Sequence, residues 1–397
     1  MAASKTWSHR RQFWVRLHRW LGLGLLGFWL VIGLTGSVLV VYREVLTALH
    51  SAAGGAQPVQ AAQPLADPAQ GIDLDRVHQS LRRSHPDRHG AWRLELPLKP
   101  GEPIVARYMK PVESADRAFA PLMVWVDPYT AVVGHEAIWG DEPLTWLYDL
   151  HYSLLLDLDG RQLVGALGVL MTVSLVSGLV LWWPRSGGWP QAWRFKRGAA
   201  IERQVYDWHK LTGLASAVVL LMLAATGMAL TWHQPLAMAL HRVGPVFHPP
   251  AVVVKGPPVV SLAQAVSLAG QCFPQARLRW VESAPVGGGL IRVQLWQVGE
   301  PSRRFPRTQV WVDAATAEVV AVRDGLQDSP ADTLMAWLHP LHNGEVAGWP
   351  GRILVLLSGL APVPLGLTGW LRWRHKARAR ALAQARAGVG KASASIG

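Results

Sequence analysis

Cysteine is almost missing: Cys272 is the only one in 397 residues. That excludes an intramolecular disulfide, a CxxCH covalent cofactor attachment and a thiolate-rich metal cluster. Charge is also sparse, at 16% of residues, and acids are the scarcer sign, with 26 Asp and Glu against 39 Lys and Arg. With half of the residues hydrophobic, this composition excludes an ordinary soluble protein. Tyrosine and phenylalanine are few, at 6 and 7, while tryptophan reaches 21, as expected of an aromatic belt at membrane interfaces.

Four apolar stretches carry the excess: Trp20 to Tyr42, Leu163 to Trp183, Leu211 to Trp232 and Ile353 to Trp373. Each has about the 20 residues that a helix needs to cross the hydrocarbon core. The expected fold is therefore an integral α-helical membrane protein with four transmembrane helices. The basic run Arg10, Arg11, Arg16 and Arg19 makes the first resemble a signal peptide, but its apolar region is too long for an h-region, so a retained anchor is expected. Basic residues cluster in segments 1–19 and 184–210 (Arg185, Arg194, Lys196, Arg197, Arg203, Lys210) and from the end of helix 4 through segment 374–397 (Arg372, Arg374, Lys376, Arg378, Arg380). All three lie on one side of a four-span topology, which the positive-inside rule makes cytoplasmic, both termini included. Topology thus explains most of the net charge of +13, and nucleic acid is not needed as a partner.

The sequence repeats itself. Trp146-Leu-Tyr-Asp-Leu-His151 and Trp337-Leu-His-Pro-Leu-His342 place their histidines 191 positions apart. The same shift carries His18 onto His209, Gly22 onto Gly213, Thr35-Gly36 onto Thr226-Gly227, Gly160-Arg161 onto Gly351-Arg352, Gly178 onto Gly369 and Trp182 onto Trp373. One offset across both halves implies an internal duplication.

The loops 43–162 and 233–352 fall outside the cytoplasm and share an order. An Ala/Gly/Gln/Pro linker (Ser51 to Pro68) opens the first, followed by a short helix around Leu74 to Arg83. Strand-like runs follow at Ala91 to Leu96, Ile104 to Met109, Leu122 to Val126 and Ala131 to Gly134. In the second, a helix begins after Ser261 as N-cap, with strands at Leu278 to Val281, Leu290 to Gln297, Gln309 to Val312 and Glu318 to Val322. Val124-Trp-Val-Asp127 and Val310-Trp-Val-Asp313 mark the same hairpin in each. Two small α+β modules, one per half, are expected.

Histidine beside hydrocarbon is costly unless paired or ligated. Four such residues at symmetric positions point to b-type haem, whose iron takes axial imidazoles from facing helices. His18 and His209, at the starts of helices 1 and 3, form one expected pair, with Gly22 and Gly213 one turn on leaving room for a porphyrin. His151 and His342 form the other, with Arg161 and Arg352 as candidate propionate partners. A continuous helix would separate His151 from Arg161 by about 15 Å; Gly160, Pro350 and Gly351 suggest a break instead. His339 and His233 are asymmetric and stand as alternative ligands, proton donors or substrate contacts. A straight helix from His209 to His233 would rise about 36 Å, so these two cannot serve one haem. The bland reading of each histidine is an interfacial side chain reaching for headgroups. His78, His85 and His89 read as solvated surface, His9 and His375 as lipid-facing, and Pro362 and Pro364 as a kink in helix 4.

These features resemble the PepSY-associated transmembrane family. The resemblance rests on four helices, two extracytoplasmic α+β modules, the His18-Arg-x-x-Gly and His209-Lys-x-x-Gly starts and the Leu-His motifs at His151 and His342. It implies two periplasmic PepSY-like modules on a bacterial inner-membrane protein, and members include ferric-siderophore reductases with two b haems. Carried over, the axial ligands are His18, His151, His209 and His342; His339 beside His342 departs from the pattern. Some relatives are fused to a flavin reductase domain. Only about 20 residues follow helix 4 here, so a separate cytoplasmic reductant or quinol is the expected donor, and a ferric siderophore the expected substrate. The alternatives are a haem-free scaffold whose modules bind a peptide or envelope partner, and a carrier of iron, haem or siderophore without redox activity.

Overall fold

The computed structural model describes residues 2–46, 71–184, 188–252 and 254–394. The linker Ser51 to Pro68 and Arg185 lie outside the described residues. Along the chain come α1 (Ala2–Gly24), α2 (Leu26–Val40), α3 (Leu74–Ser84), β1 (Trp92–Glu95), β2 (Ile104–Tyr108), β3 (Leu122–Val126) and β4 (Val133–Ile138). Then follow α4 (Pro143–Ser153), α5 (Asp157–Trp182), α6 (Ile201–Thr231), α7 (His233–Leu240) and α8 (Leu262–Cys272). The last elements are β5 (Arg277–Glu282), β6 (Leu290–Trp296), β7 (Thr308–Asp313), β8 (Val319–Arg323), α9 (Pro330–His342), α10 (Gly348–Leu360) and α11 (Pro362–Ala394). They form two compact units, one of residues Met1–Val40, Val164–Met228 and Trp349–Gly397, the other of Val41–Leu163 and Ala229–Gly348.

The first unit is helical. Asp157–Trp182, Ile201–Thr231 and Glu345–Ala385 are each long and apolar enough to cross a membrane; His9–Gly24 with Leu26–Val40 makes a fourth only if a 60° bend is allowed. The first span is thus a broken one rather than the straight helix expected over 20–42. Gly22, Gly24 and Gly27 surround the break and weaken the helix there. Pro362 interrupts the last span at Ala361, yet Glu345–Ala385 still reads as one span. His18 and His209 lie well inside α1 and α6, not at helix starts, because polar turns extend both helices past the apolar run. Close packing uses small residues: Ser37 Oγ donates to the Leu356 carbonyl at 2.9 Å, and a methyl added to Gly33 or Gly359 would strike the facing backbone.

The second unit is an eight-stranded antiparallel sheet in the order β4-β3-β2-β1-β5-β6-β7-β8. The two expected modules therefore share one sheet. β1 and β5 pair at its centre through Arg93↔Glu282, Leu94↔Val281 and Glu95↔Trp280. Each quartet ends in the same hairpin. Asp127 Oδ1 accepts from the amides of Tyr129 and Thr130, Asp313 Oδ1 from those of Ala315 and Thr316, and Ala131 and Ala317 both turn through positive φ. Alternation puts Trp92, Leu94, Ile104, Val124, Val293 and Val310 on one buried face, covered by Leu74, Val77 and Leu81 of α3 and Leu262, Ala265 and Ala269 of α8. Ser261 caps α8 as its sequence suggests, accepting from Gln264 N at 3.1 Å. Asp75 of α3 takes the Leu262 amide at 2.7 Å, tying the two covering helices together.

Candidate functional site

Within the helical unit the imidazoles of His18 and His209 face each other with ring centroids 6.1 Å apart. Their hydrogen bonds decide their tautomers. His18 Nδ1 lies 3.0 Å from the Ser174 carbonyl, which only accepts, so Nδ1 carries the proton; Ser177 Oγ is a second partner at 3.1 Å. His209 Nδ1 lies 3.0 Å from Thr368 Oγ1, whose own proton is given to the Pro364 carbonyl at 2.6 Å, so His209 Nδ1 is again the donor. Both rings therefore keep the Nε2 lone pair for a ligand, the arrangement expected of second-layer partners behind metal-binding histidines.

Glycines shape the surroundings. A methyl on Gly178 would lie 3.0 Å from His18 Cε1, and one on Gly369 3.4 Å from His209 Cε1, so the rings lie against bare helix backbone. Gly22 would meet nothing within 4 Å and Gly213 only Leu365. These two glycines, like Trp182 and Trp373, line a cavity of about 330 Å³ that also contains both histidines, a volume within the range of cofactor sites.

In the sheet-bearing unit, His151 on α4 and His342 on α9 stand with ring centroids 6.2 Å apart. The break expected after His151 exists but falls earlier than Gly160. Leu154, Leu155 and Asp157 all have positive φ, and α5 starts at the last of them. Gly160 matters because a side chain there would collide with the Ser153 carbonyl. After His342 the chain turns through Gly344 and Gly348, both at positive φ. α9 is held at its start by Ser329, whose hydroxyl accepts from Asp332 N at 3.1 Å. Asp332 bonds Arg307 and Arg323, each at 2.9 Å, and takes the Phe247 amide at 2.8 Å.

His339 is a turn before His342, with its ring edge on Phe305 at 5.2 Å. Asn343 Nδ2 donates to its Nδ1 at 3.3 Å, leaving the proton on Nε2 and making that nitrogen a donor. Burial, with Arg304 adding, pushes His339 down to about 4, so it is neutral at ordinary pH. His233 opens α7 and is exposed. Arg161 lies 5.6 Å over the Tyr152 ring, and Arg352 bonds the Val40 carbonyl at 3.2 Å, closing the end of α2. His78 and His85 are not the solvated residues expected: burial, with Arg82 adding, pushes His78 down to about 4, and His85 bonds Glu136 at 2.8 Å. His89 is exposed.

On the sheet face away from α3 and α8 lies a charged cluster. Glu95 is held by Arg107 at 2.8 Å, Arg304 at 2.9 Å and Arg43 at 3.3 Å, while Arg43 also bonds Glu102 at 2.6 Å. Burial alone would raise Glu95, but Arg304, Arg107 and Arg43 together hold it down to about 2. Tyr42 packs under Arg304, and Trp139 and Trp280 under Arg107. Nothing in the local sequence marked these arginines. Ser177 and Thr368 could have been found, since the 191 shift maps one onto the other.

Among the described residues no group of three or more His, Cys, Asp or Glu could hold a metal ion. Two imidazoles alone are too few for a free first-row metal. They do fit the axial positions of an iron whose other ligands come from a macrocycle. With metal–nitrogen bonds of about 2 Å, rings on opposite sides of one iron have centroids roughly 6 Å apart.

Three or four apolar spans with an antiparallel sheet built from the intervening segments define a multispan membrane protein. The chain matches the PepSY-associated TM region family over residues 15–376, nearly its whole length, and it belongs to that family. Comparison with curated proteins returns no match.

Proposed function

We propose that the chain is a dihaem b-type electron-transfer protein of the bacterial inner membrane that reduces a periplasmic ferric chelate, a ferric siderophore, and so releases its iron. The observation that carries this reading is the pair of facing imidazole couples, at 6.1 and 6.2 Å, one in each unit. When bound, b haem supplies reversible one-electron iron chemistry between two axial imidazoles. The protein's part at the first pair is visible in its hydrogen bonds: Ser174, Ser177 and Thr368 hold both rings by Nδ1, and Gly178 and Gly369 leave room for them. At the second pair the buried ion network of Asp332 anchors α9 and with it His342. The 6.2 Å ring pairing supports His342 over His339 as the partner of His151, and the Asn343 contact at Nδ1 of His339 supports the same choice.

The reading includes the duplication: four spans in two related halves, termini in the cytoplasm, and two PepSY-like modules in the periplasm sharing the sheet. A cytoplasmic reductant or quinol would supply electrons on the side of the basic loops. Siderophores hold Fe(III) far more tightly than Fe(II), so one electron weakens the complex.

A reduced-minus-oxidised spectrum of the purified protein tests the first part, with a b-type Soret band expected. A protein without one is better read as a haem-free scaffold. Reduced protein in liposomes should reoxidise when ferric siderophore is added outside. No reoxidation across several chelates would leave a carrier, or a different acceptor.

A further inference from the structure

The cavity around His18 and His209 is chemically two-ended. Its apolar part is walled by Leu23, Leu26, Trp29, Leu175 and Leu214, and no carboxylate lines it anywhere. The other part is cationic. On α1 the lining residues Arg11, Val15 and Arg19 follow at intervals of four, and on α11 so do Arg372, Lys376 and Arg380. A spacing of four keeps side chains on one helical face, so two basic stripes front the same space. Lys376 lies in the combined field of Arg372, Arg380, Arg11 and Arg19. Among the described residues none of these five has an ion-pair partner. Lys210 differs: Asp207, a fully buried carboxylate, holds it at 3.0 Å.

Like charges gathered without a counter-charge repel one another, and an anion bound among them relieves that repulsion. Two of the five, Arg19 and Arg372, are partly buried, while Arg11, Lys376 and Arg380 are exposed. Arg19 is the residue after His18, and Arg372 rests 4.5 Å over the ring of Tyr206, one turn before His209. The matching ligand is flat and apolar at one edge, has a metal-binding centre, and carries carboxylates at the other edge.

We propose that the two stripes bind the propionate carboxylates of a porphyrin seated between His18 and His209, with Arg19 and Arg372 as the direct partners, fixing its carboxylate edge toward the basic mouth. This rests on the reading of those histidines as axial ligands. It assigns to this site a set of anion partners unrelated to Arg161 and Arg352.

The test uses the chain with His151→Ala and His342→Ala, so that only this pair is loaded, reconstituted with haem b or with its dimethyl ester, which lacks the two charges. Charge-assisted hydrogen bonds of this kind predict a preference for haem b of about tenfold or more. Arg19→Leu with Arg372→Leu should abolish the preference and lower the reduction potential of the bound haem, because positive charge near the iron favours the reduced state. Arg19→Lys with Arg372→Lys should retain the preference, which controls for folding. Equal binding of haem b and ester by the parent, or a preference that survives both leucines, overturns the proposal and leaves the stripes to lipid headgroups. Failure of the unaltered full chain to bind haem at all would instead remove the axial-ligand reading on which the proposal stands.

Discussion

Thr368→Val and Ser177→Ala should have unequal effects, although the 191 shift maps one hydroxyl onto the other. His209 Nδ1 has Thr368 Oγ1 as its hydrogen-bond acceptor at 3.0 Å. Valine keeps the shape and removes the oxygen, leaving the ring only the Leu365 carbonyl, the counterpart of Ser174 by the 191 shift, which has no hydrogen bond to Nδ1 as close as Thr368 Oγ1. Loss of such a partner behind a metal-binding histidine typically costs roughly 10- to 100-fold in affinity, or about 1.4 to 2.7 kcal/mol. His18 keeps the Ser174 carbonyl at 3.0 Å when Ser177 loses its hydroxyl, so Ser177→Ala should cost less than about fivefold. The assay is haem transfer to an excess apo-globin trap, followed at the Soret band and read beside the potential of each haem. Thr368→Val should speed release of one haem equivalent, and Ser177→Ala should barely change it. Equal retention by both variants and the parent, or a larger loss with Ser177→Ala, would refute the reasoning.

Gly178→Ala should displace the His18 ring, since the new methyl would sit 3.0 Å from Cε1; overpacking of this kind costs about 1 to 3 kcal/mol and should appear as one haem equivalent lost, with Gly369→Ala milder at 3.4 Å. Glu95→Gln leaves Arg43, Arg107 and Arg304 without their shared carboxylate and should cost about 3 to 5 kcal/mol in denaturant unfolding. Glu282→Gln, at the partly exposed Arg93 and Arg292 pairs, should cost under about 1 kcal/mol. Because Glu95 is held at about 2 against an ordinary 4.5, its contribution is complete above pH 4.5 and lost as pH falls toward 2; Glu95→Gln should flatten acid unfolding in that window. His339 is pushed from 6.5 to about 4, so it stabilises the fold above pH 6.5 and that contribution is lost as pH falls through 4; His339→Gln should remove this slope from a pH series of melting curves.

The periodic features could be read in advance. Seven strands were legible because alternation and the Asp127 and Asp313 turns are local signals, and the ring pairs because a shift of 191 carries one half onto the other; the run Ala131 to Gly134 is instead mostly the turn, with Ala131 at positive φ, and β4 runs over Val133–Ile138. Pairing between β1 and β5 was not, since nothing in either strand names a partner nearly two hundred residues away. The first span looked continuous because hydropathy ignores Gly22, Gly24 and Gly27, which divide it. The helix starts were misplaced for the complementary reason: polar turns of α1 and α6 carry no apolar signal yet remain helical. Glu95 and Arg107 sit in strands where alternation predicts only a solvated face, and their burial depends on Arg43 and Arg304 arriving from distant segments.

The most direct test of the central claim is the haem content of the purified chain with its axial ligands identified. Two b haems per chain are predicted, with His209→Ala removing one and His151→Ala removing the other. A folded protein without haem, or a single substitution that strips both haems while leaving the fold intact, would contradict the account.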